Sequence, residues 1–139
     1  MALHAVRECQ KQGKIAAYID LENRIGKNNE YAKNLGVDAK KLMLSKAKSG
    51  EEVFKFINEN IEEGVNLFIV DSVASLVPEA RLKKESNPGV ASKARLIADE
   101  LPVTSLKMGD KEVILIFVNQ IREDLSSNFF GPKLTTPGG

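Results

Sequence analysis

Three apolar runs in this chain each end in side chains that could do chemistry. Ile15-Ala16-Ala17-Tyr18-Ile19 leads into Asp20, Leu21 and Glu22; Val65 to Val70 leads into Asp71 and Ser72; Val113 to Val118 leads into Asn119, Gln120, Ile121 and Arg122. A carboxylate can hold a hydrated divalent cation or take a proton from water, and a neutral amide can register the charge of a neighbouring anion. Singly, each group has a plainer reading. Asp71 can cap the turn that follows it, Glu22 can be a solvated loop acid, and Gln120 can open a helix. Their shared position, just past an apolar run, is what makes the set informative.

The elements that must position these groups follow from the spacing. Each run is too short for an ordinary helix and rich in Val, Ile or Phe, so it reads as a strand covered on both faces. Residues 2 to 12 place Leu3, Val6 and Cys9 on one helical face and Arg7, Glu8 and Lys11 on the other, with Gly13 as the stop and no capping residue at the start. Gly26 to Asn29 reads as a turn, Glu30 to Leu35 as a short helix closed by Gly36, and Leu42 to Ser45 as a short strand. Ser49-Gly50-Glu51-Glu52 is a capping box opening a helix that turns Val53, Phe54, Ile57 and Ile61 inward and stops at Gly64.

Alternating helix and strand predicts an α/β fold, a mostly parallel β-sheet flanked by helices with right-handed crossovers and Val65 to Asp71 as its central strand. The carboxyl ends of such strands form a ligand crevice, so Glu22, Asp71, Ser72 and Gln120 are expected on one rim. Nucleotide hydrolysis needs a metal-holding acid, a water-orienting acid and a sensor of the γ-phosphate, and Asp71 (through a water on Mg²⁺), Glu22 and Gln120 could supply them. No Gly-x-x-x-x-Gly-Lys-Ser/Thr loop occurs in the sequence.

Further along, the pattern loosens. Glu79 to Gly89 is highly charged and reads as a surface loop. Ala91 to Lys107 resumes helical spacing through Leu96, Ile97 and Leu101, with Pro102 expected to kink or break it. Glu123 to Gly139 shows no period and reads as a long loop.

The 139 residues are one domain's worth, with no repeat and no linker; they are 42% hydrophobic and 28% charged. Twenty basic residues against nineteen acidic give a net charge of +1, so anion binding must come from local clusters such as Arg81, Lys83, Lys84, Lys93 and Arg95. No apolar run approaches the roughly 18 residues of a membrane span. Met1 to Gln10 lacks the basic leader and apolar segment of a signal peptide. The single Cys9 cannot pair within the chain, which fits a reducing, cytoplasmic setting.

Four blocks, in order, resemble the ATPase core of bacterial RecA recombinases and their phage relatives: Ala17 to Glu22, Tyr31 to Asp38, Ile69 to Pro78 and Ile116 to Arg122. The resemblance runs along the whole chain, to the Thr135-Thr136-Pro137-Gly138-Gly139 end. It implies that Glu22 activates the attacking water, that Asp71 with Ser72 is the Walker B pair, that Tyr31 stacks on adenine with Asn28 at an adenine-contacting position, and that Gln120 reads the γ-phosphate. It implies ATP and Mg²⁺ as cofactors. It further implies single- and double-stranded DNA as partners and self-association into a helical filament. A first DNA loop would lie near 79 to 90 and a second near 123 to 136, with Lys83, Lys84, Arg95 and Arg122 on phosphates and Val90 and Leu125 wedged between bases. Without the phosphate loop, the chain is expected to be a partial core with little ATP hydrolysis of its own. The alternatives are a non-catalytic RecA-like DNA-binding or filament-interaction module and, below it, another RecA-fold ATPase such as a replicative helicase or RadA-like protein.

Overall fold

The computed structural model describes residues 1–25, 30–82, 91–119, 122–124 and 133–135, with residues 91, 122–124 and 133–135 described by their backbone alone. The element order is α1 (Ala2–Lys11), β1 (Ala16–Asp20), α2 (Glu30–Asn34), β2 (Leu42–Ser45), α3 (Gly50–Glu62), β3 (Leu67–Asp71), a 3₁₀ turn (Val73–Ser75), α4 (Glu79–Leu82), α5 (Ala91–Met108), β4 (Ile114–Val118), β5 (Arg122–Asp124) and β6 (Lys133–Thr135). The first four strands form one parallel sheet in the order β2-β1-β3-β4. The strand read as central, β3, is an inner strand with a neighbour on each side.

Side chains alternate across a strand, so one sheet makes two cores. Ala17, Ile19, Phe68 and Val70 face α3, where they meet Val53, Ile57 and Ile61. Ala16, Tyr18, Leu67 and Ile69 face the opposite side, with Leu3 and Val6 of α1 and Ala32 and Val37 around α2. Helices therefore cover both faces, which is why these strands read as unbroken apolar runs. The edge strand β4 is less enclosed, and its Ile114 is 61% exposed.

Local chemistry sets the element ends. Gly13, Gly36 and Gly64 adopt positive φ of 73°, 83° and 86° at or just after helix ends, a conformation that a Cβ disfavours. Ser49 caps α3 by accepting from the Glu52 amide at 3.2 Å. The return arm of the capping box is displaced by one residue: the Glu52 carboxylate accepts from the Lys48 amide at 2.7 Å instead of from that of Ser49. At the amino ends of the strands, Asn66 is a staple. Its Oδ1 accepts from the Ile15 amide at 3.2 Å and its Nδ2 donates to the Glu112 carbonyl at 3.1 Å, tying the entries to β1, β3 and β4 together.

The structure corrects three expectations. Helix α5 runs unbroken through Pro102, because Pro102 and Ala98, whose carbonyl loses its partner, are both on the exposed side where water can satisfy it. The segment read as loop from Glu79 begins as the short helix α4. The carboxyl-terminal stretch read as aperiodic contains an antiparallel pair, with Arg122 opposite Thr135 and Asp124 opposite Lys133; three-residue strands are too short to show a period of two.

Helix α5 also buries a hydroxyl, Thr104 Oγ1, that has no partner among the described residues. An unsatisfied buried polar group costs about 1–3 kcal/mol. The isosteric Thr104→Val is therefore expected to raise the unfolding free energy by about 1 kcal/mol in urea titrations, whereas Phe68→Ala should lower it by about 3–5 kcal/mol. A Thr104→Val protein less stable than the parent would show that the hydroxyl has a partner in solution.

Candidate functional site

The site starts from register. Strands β1 and β3 pair in parallel with Asp20 opposite Asp71, and β3 and β4 pair with Asp71 opposite Val118. All three strands thus end level. The residues just past them, Leu21 and Glu22, Ser72, and Asn119, emerge on one rim, the convergence expected from the sequence. The Leu21 amide donates to the Asp71 carbonyl at 2.9 Å, carrying the pairing one residue beyond the strands.

Glu22 is the most heavily engaged group on this rim. Its Oε1 accepts from the Ser72 hydroxyl at 2.5 Å and from the Ser75 hydroxyl at 3.4 Å. Its Oε2 pairs with the Arg24 guanidinium at 2.5 Å, and its side chain is only 13% exposed. The Ser72 hydroxyl holds the Glu22 carboxyl below its ordinary range, helped by the Arg24 charge and by Ser75 and opposed by desolvation. Both serines belong to the 3₁₀ turn or its cap, where residues three apart lie one above the other. The peptide bond joining Asp71 to Ser72 is cis.

Asp71 faces the other core. Its Oδ2 accepts from the Tyr18 hydroxyl at 2.6 Å, and Tyr18 is itself buried. Burial first, and then the Asp71 carboxylate, push the Tyr18 hydroxyl well above its ordinary pKa, so it remains a donor throughout the physiological range. Asp20 builds the loop that carries Glu22. Its two carboxylate oxygens accept from the amides of Arg24 at 3.0 Å and Ile25 at 2.5 Å, and Asn23 sits at φ 52° to let the chain turn. From α5, the Lys93 ammonium donates to the Ala74 carbonyl at 2.5 Å, and burial, with the Arg81 charge, lowers its pKa. The first turn of α5 is thereby tied to the 3₁₀ turn that holds Glu22.

Among the described residues no group of three acids, histidines or cysteines could enclose a metal ion. The donor chemistry suits a hydrated Mg²⁺, which keeps several waters and takes one or two carboxylates; Asp71, with one oxygen already accepting from Tyr18, fits that partial role. A cavity of about 490 Å³ lies elsewhere, between α1 and β4 against Cys9, Asn66, Ile114 and Ile116. It opens at the amino ends of the strands and does not serve the carboxylates.

Of the other residues singled out from the sequence, Tyr31 is on α2 and 61% exposed. Arg95 is exposed on α5 and pairs with Asp99 at 3.6 Å. Arg122 is in β5. Asn28, Lys83, Lys84, Val90, Gln120 and Leu125 lie outside the described residues. Sequence reading missed Ser75, Tyr18 and Arg24. Ser75 could have been found from its spacing of three after Ser72, and Tyr18 from alternation, since it pairs with Ile69 on the face that Asp71 shares.

The family model described as RecA N-terminal domain matches residues 1–139. The chain is 43% identical over 141 residues to Protein RecA of Mycoplasma mobile, covering 100% of this chain and 42% of the relative. It is 41% identical over 140 residues to Protein RecA, plasmid, of Lactococcus lactis subsp. lactis, covering 100% and 40%. To Protein RecA of Thermotoga neapolitana it is 39% identical over 140 residues, covering 99% and 39%. The chain thus spans about two fifths of the length of the curated relatives it matches. The crystal structure of the RadB recombinase superposes with a TM-score of 0.55 at 18% identity, over 94% of this chain and 60% of that one, a likeness of fold.

The Glu22 environment gives a direct expectation. A carboxyl whose pKa is lowered by folding stabilises the fold above its unfolded pKa and loses that contribution as pH falls through the lowered folded value. Carboxyl ¹³C NMR titration should find Glu22 below the ordinary glutamate range in the parent and moved up toward it in Ser72→Ala. An unmoved Glu22 would mean that the Ser72 hydroxyl points elsewhere.

Proposed function

The chain belongs to the RecA N-terminal domain family, and we propose that it forms part of an ATP-dependent DNA strand-exchange recombinase acting in homologous recombination and repair. The observation that carries the reading is the paired grip on Glu22. One oxygen is fixed by two serine hydroxyls from the turn after Asp71, which leaves the carboxylate oriented at the rim where a phosphate-bearing ligand of an α/β sheet would lie.

In this reading Glu22 is the general base. Its carboxylate takes the proton of the attacking water through Oε2, while Ser72 and Ser75 hold Oε1 and stop the side chain from rotating away. Asp71 would hold Mg²⁺ through a water, with Tyr18 fixing the carboxylate's orientation. Bound Mg²⁺ would neutralise charge on the phosphates of ATP. Tyr31, exposed on α2, is assigned to stacking on adenine, Asn28 to a further adenine contact, and Gln120 to sensing the γ-phosphate. The phosphate loop that would cradle ATP is not among these 139 residues, so turnover is assigned to the intact protein.

DNA contact is assigned to the segments near 79–90 and 123–136, with Lys83, Lys84, Arg95 and Arg122 on the backbone of single- and double-stranded DNA and Val90 and Leu125 between bases. Support comes from Arg81, exposed on the short helix that begins the first segment, and Arg95, exposed on the helix that follows it. Filament formation by repeated copies, in a cytoplasmic setting, completes the reading. Among the described residues no helix is long and apolar enough to cross a membrane.

A chimera in which this chain replaces the matching 141 residues of the Mycoplasma mobile relative tests the assignment. Single-strand-dependent ATP turnover is expected, and Glu22→Gln should lower kcat by roughly 10²–10⁴-fold, the usual worth of a positioned base, with ATP affinity retained. Turnover indifferent to Glu22→Gln would overturn it. Salt-sensitive binding of single strands that needs no nucleotide, in a chimera that never turns over ATP, would favour the non-catalytic DNA-binding module instead.

A further inference from the structure

Glu22 has a companion that the reading above does not use. Arg24 lies two residues on, in a loop built around the Asp20 carboxylate, and its guanidinium rests on Glu22 Oε2 while its side chain is 68% exposed. Three facts bear on its role. The guanidinium sits on the one oxygen of Glu22 not already taken by two serines, the oxygen a water would have to reach. The arginine end of the pair is open to solvent while the carboxylate is only 13% exposed, so the guanidinium is the partner free to leave. A guanidinium matches a phosphate with two parallel hydrogen bonds and prefers the more highly charged anion.

We propose that Arg24 is a polyphosphate-binding residue parked on Glu22, and that an arriving nucleoside triphosphate draws the guanidinium from the carboxylate onto a phosphate oxygen. This inference rests on the nucleotide reading of the site. While parked, Arg24 weakens Glu22 as a base by stabilising its charge and shields its open oxygen from water. Once drawn away, it leaves Oε1 still fixed by Ser72 and Ser75 and Oε2 open to accept a proton. Water activation is then confined to the time when a phosphate is present. The loop is suited to the exchange because Asp20 anchors its backbone at the Arg24 and Ile25 amides, so the side chain can swing without moving Glu22.

The test is an NMR titration of the full chain at fixed pH, following Arg24 ¹⁵Nε and Glu22 ¹³Cδ. Inorganic tripolyphosphate with MgCl₂ is added, with MgCl₂ and NaCl at matched ionic strength as the control. Both resonances should move together and saturably in the parent. In Arg24→Gln the Glu22 resonance should start displaced and stay still on addition of tripolyphosphate, whose affinity falls about tenfold, the worth of one charge-assisted hydrogen bond. Arg24→Lys, which keeps the charge without the fork, should recover part of that affinity. Resonances that follow only the salt control, or a Glu22 response equal in Arg24→Gln, would overturn the proposal, as would movement with oligo-dT but not with tripolyphosphate. The two readings separate with Mg·ATP. ATP bound with Arg24 unmoved sinks the exchange and spares the nucleotide site; tripolyphosphate displacing Arg24 while Mg·ATP binds no better and adenine perturbs nothing spares the anion site and sinks the nucleotide reading.

Discussion

The structure depends on the level, in-register pairing of β1 with β3. Parallel strands have no turn to fix their alignment, so something else must. Alternation does most of it: a slip of one residue would send Ala17 and Ile19 to the face now occupied by Ala16 and Tyr18, and large side chains would meet the wrong helix. Asn66 adds a local stop by bonding to the main chain at the entries to both neighbouring strands. With the amino ends so fixed and the strands equally long, Asp20 and Asp71 fall opposite each other, and Glu22 meets Ser72 just past them.

From this register the rim divides its labour between the two cores. Asp71 continues the face of Ile69 and Tyr18, and the buried Tyr18 hydroxyl meets it there. Glu22 is instead bound to the turn that runs from Ser72 to Ser75 and on to Leu76, which is packed in the α3 core. Each carboxylate is thus oriented by a hydroxyl whose own position is set by packing. A neutral donor fixes a carboxylate's direction without cancelling its charge.

Much of this was legible in the sequence. Glu22 and Asp71 could be found because each follows an apolar run that can only be a covered strand, and Ser72 because it adjoins Asp71. The stops at Gly13, Gly36 and Gly64 were legible because only glycine takes their positive φ at little cost. Arg24 was not, since its partner depends on a turn wrapped around Asp20 that has no signature in local spacing; for Tyr18 alternation gives the face, while its meeting with Asp71 depends on the β1–β3 register. The break expected at Pro102 does not occur for a related reason. A proline's effect on a helix depends on whether the carbonyl it deprives can reach water, and that is a property of the face α5 turns outward. The antiparallel pair of Arg122–Asp124 with Lys133–Thr135 is held by backbone bonds between short segments, and three residues carry too little pattern to reveal it.

The electrostatics of the rim close the argument about what it can receive. Asp20, Glu22 and Asp71 bring three carboxylates to the ends of two neighbouring strands. Asp20 is answered by two loop amides and Asp71 by a tyrosine hydroxyl, neither of which carries a full charge. Among the described residues, Glu22 is the one of the three that meets a guanidinium. Such an edge repels a bare anion and favours one that arrives with its own cation. Arg24 is the group whose placement matters most for that balance, because it is the charge that offsets one of the three carboxylates.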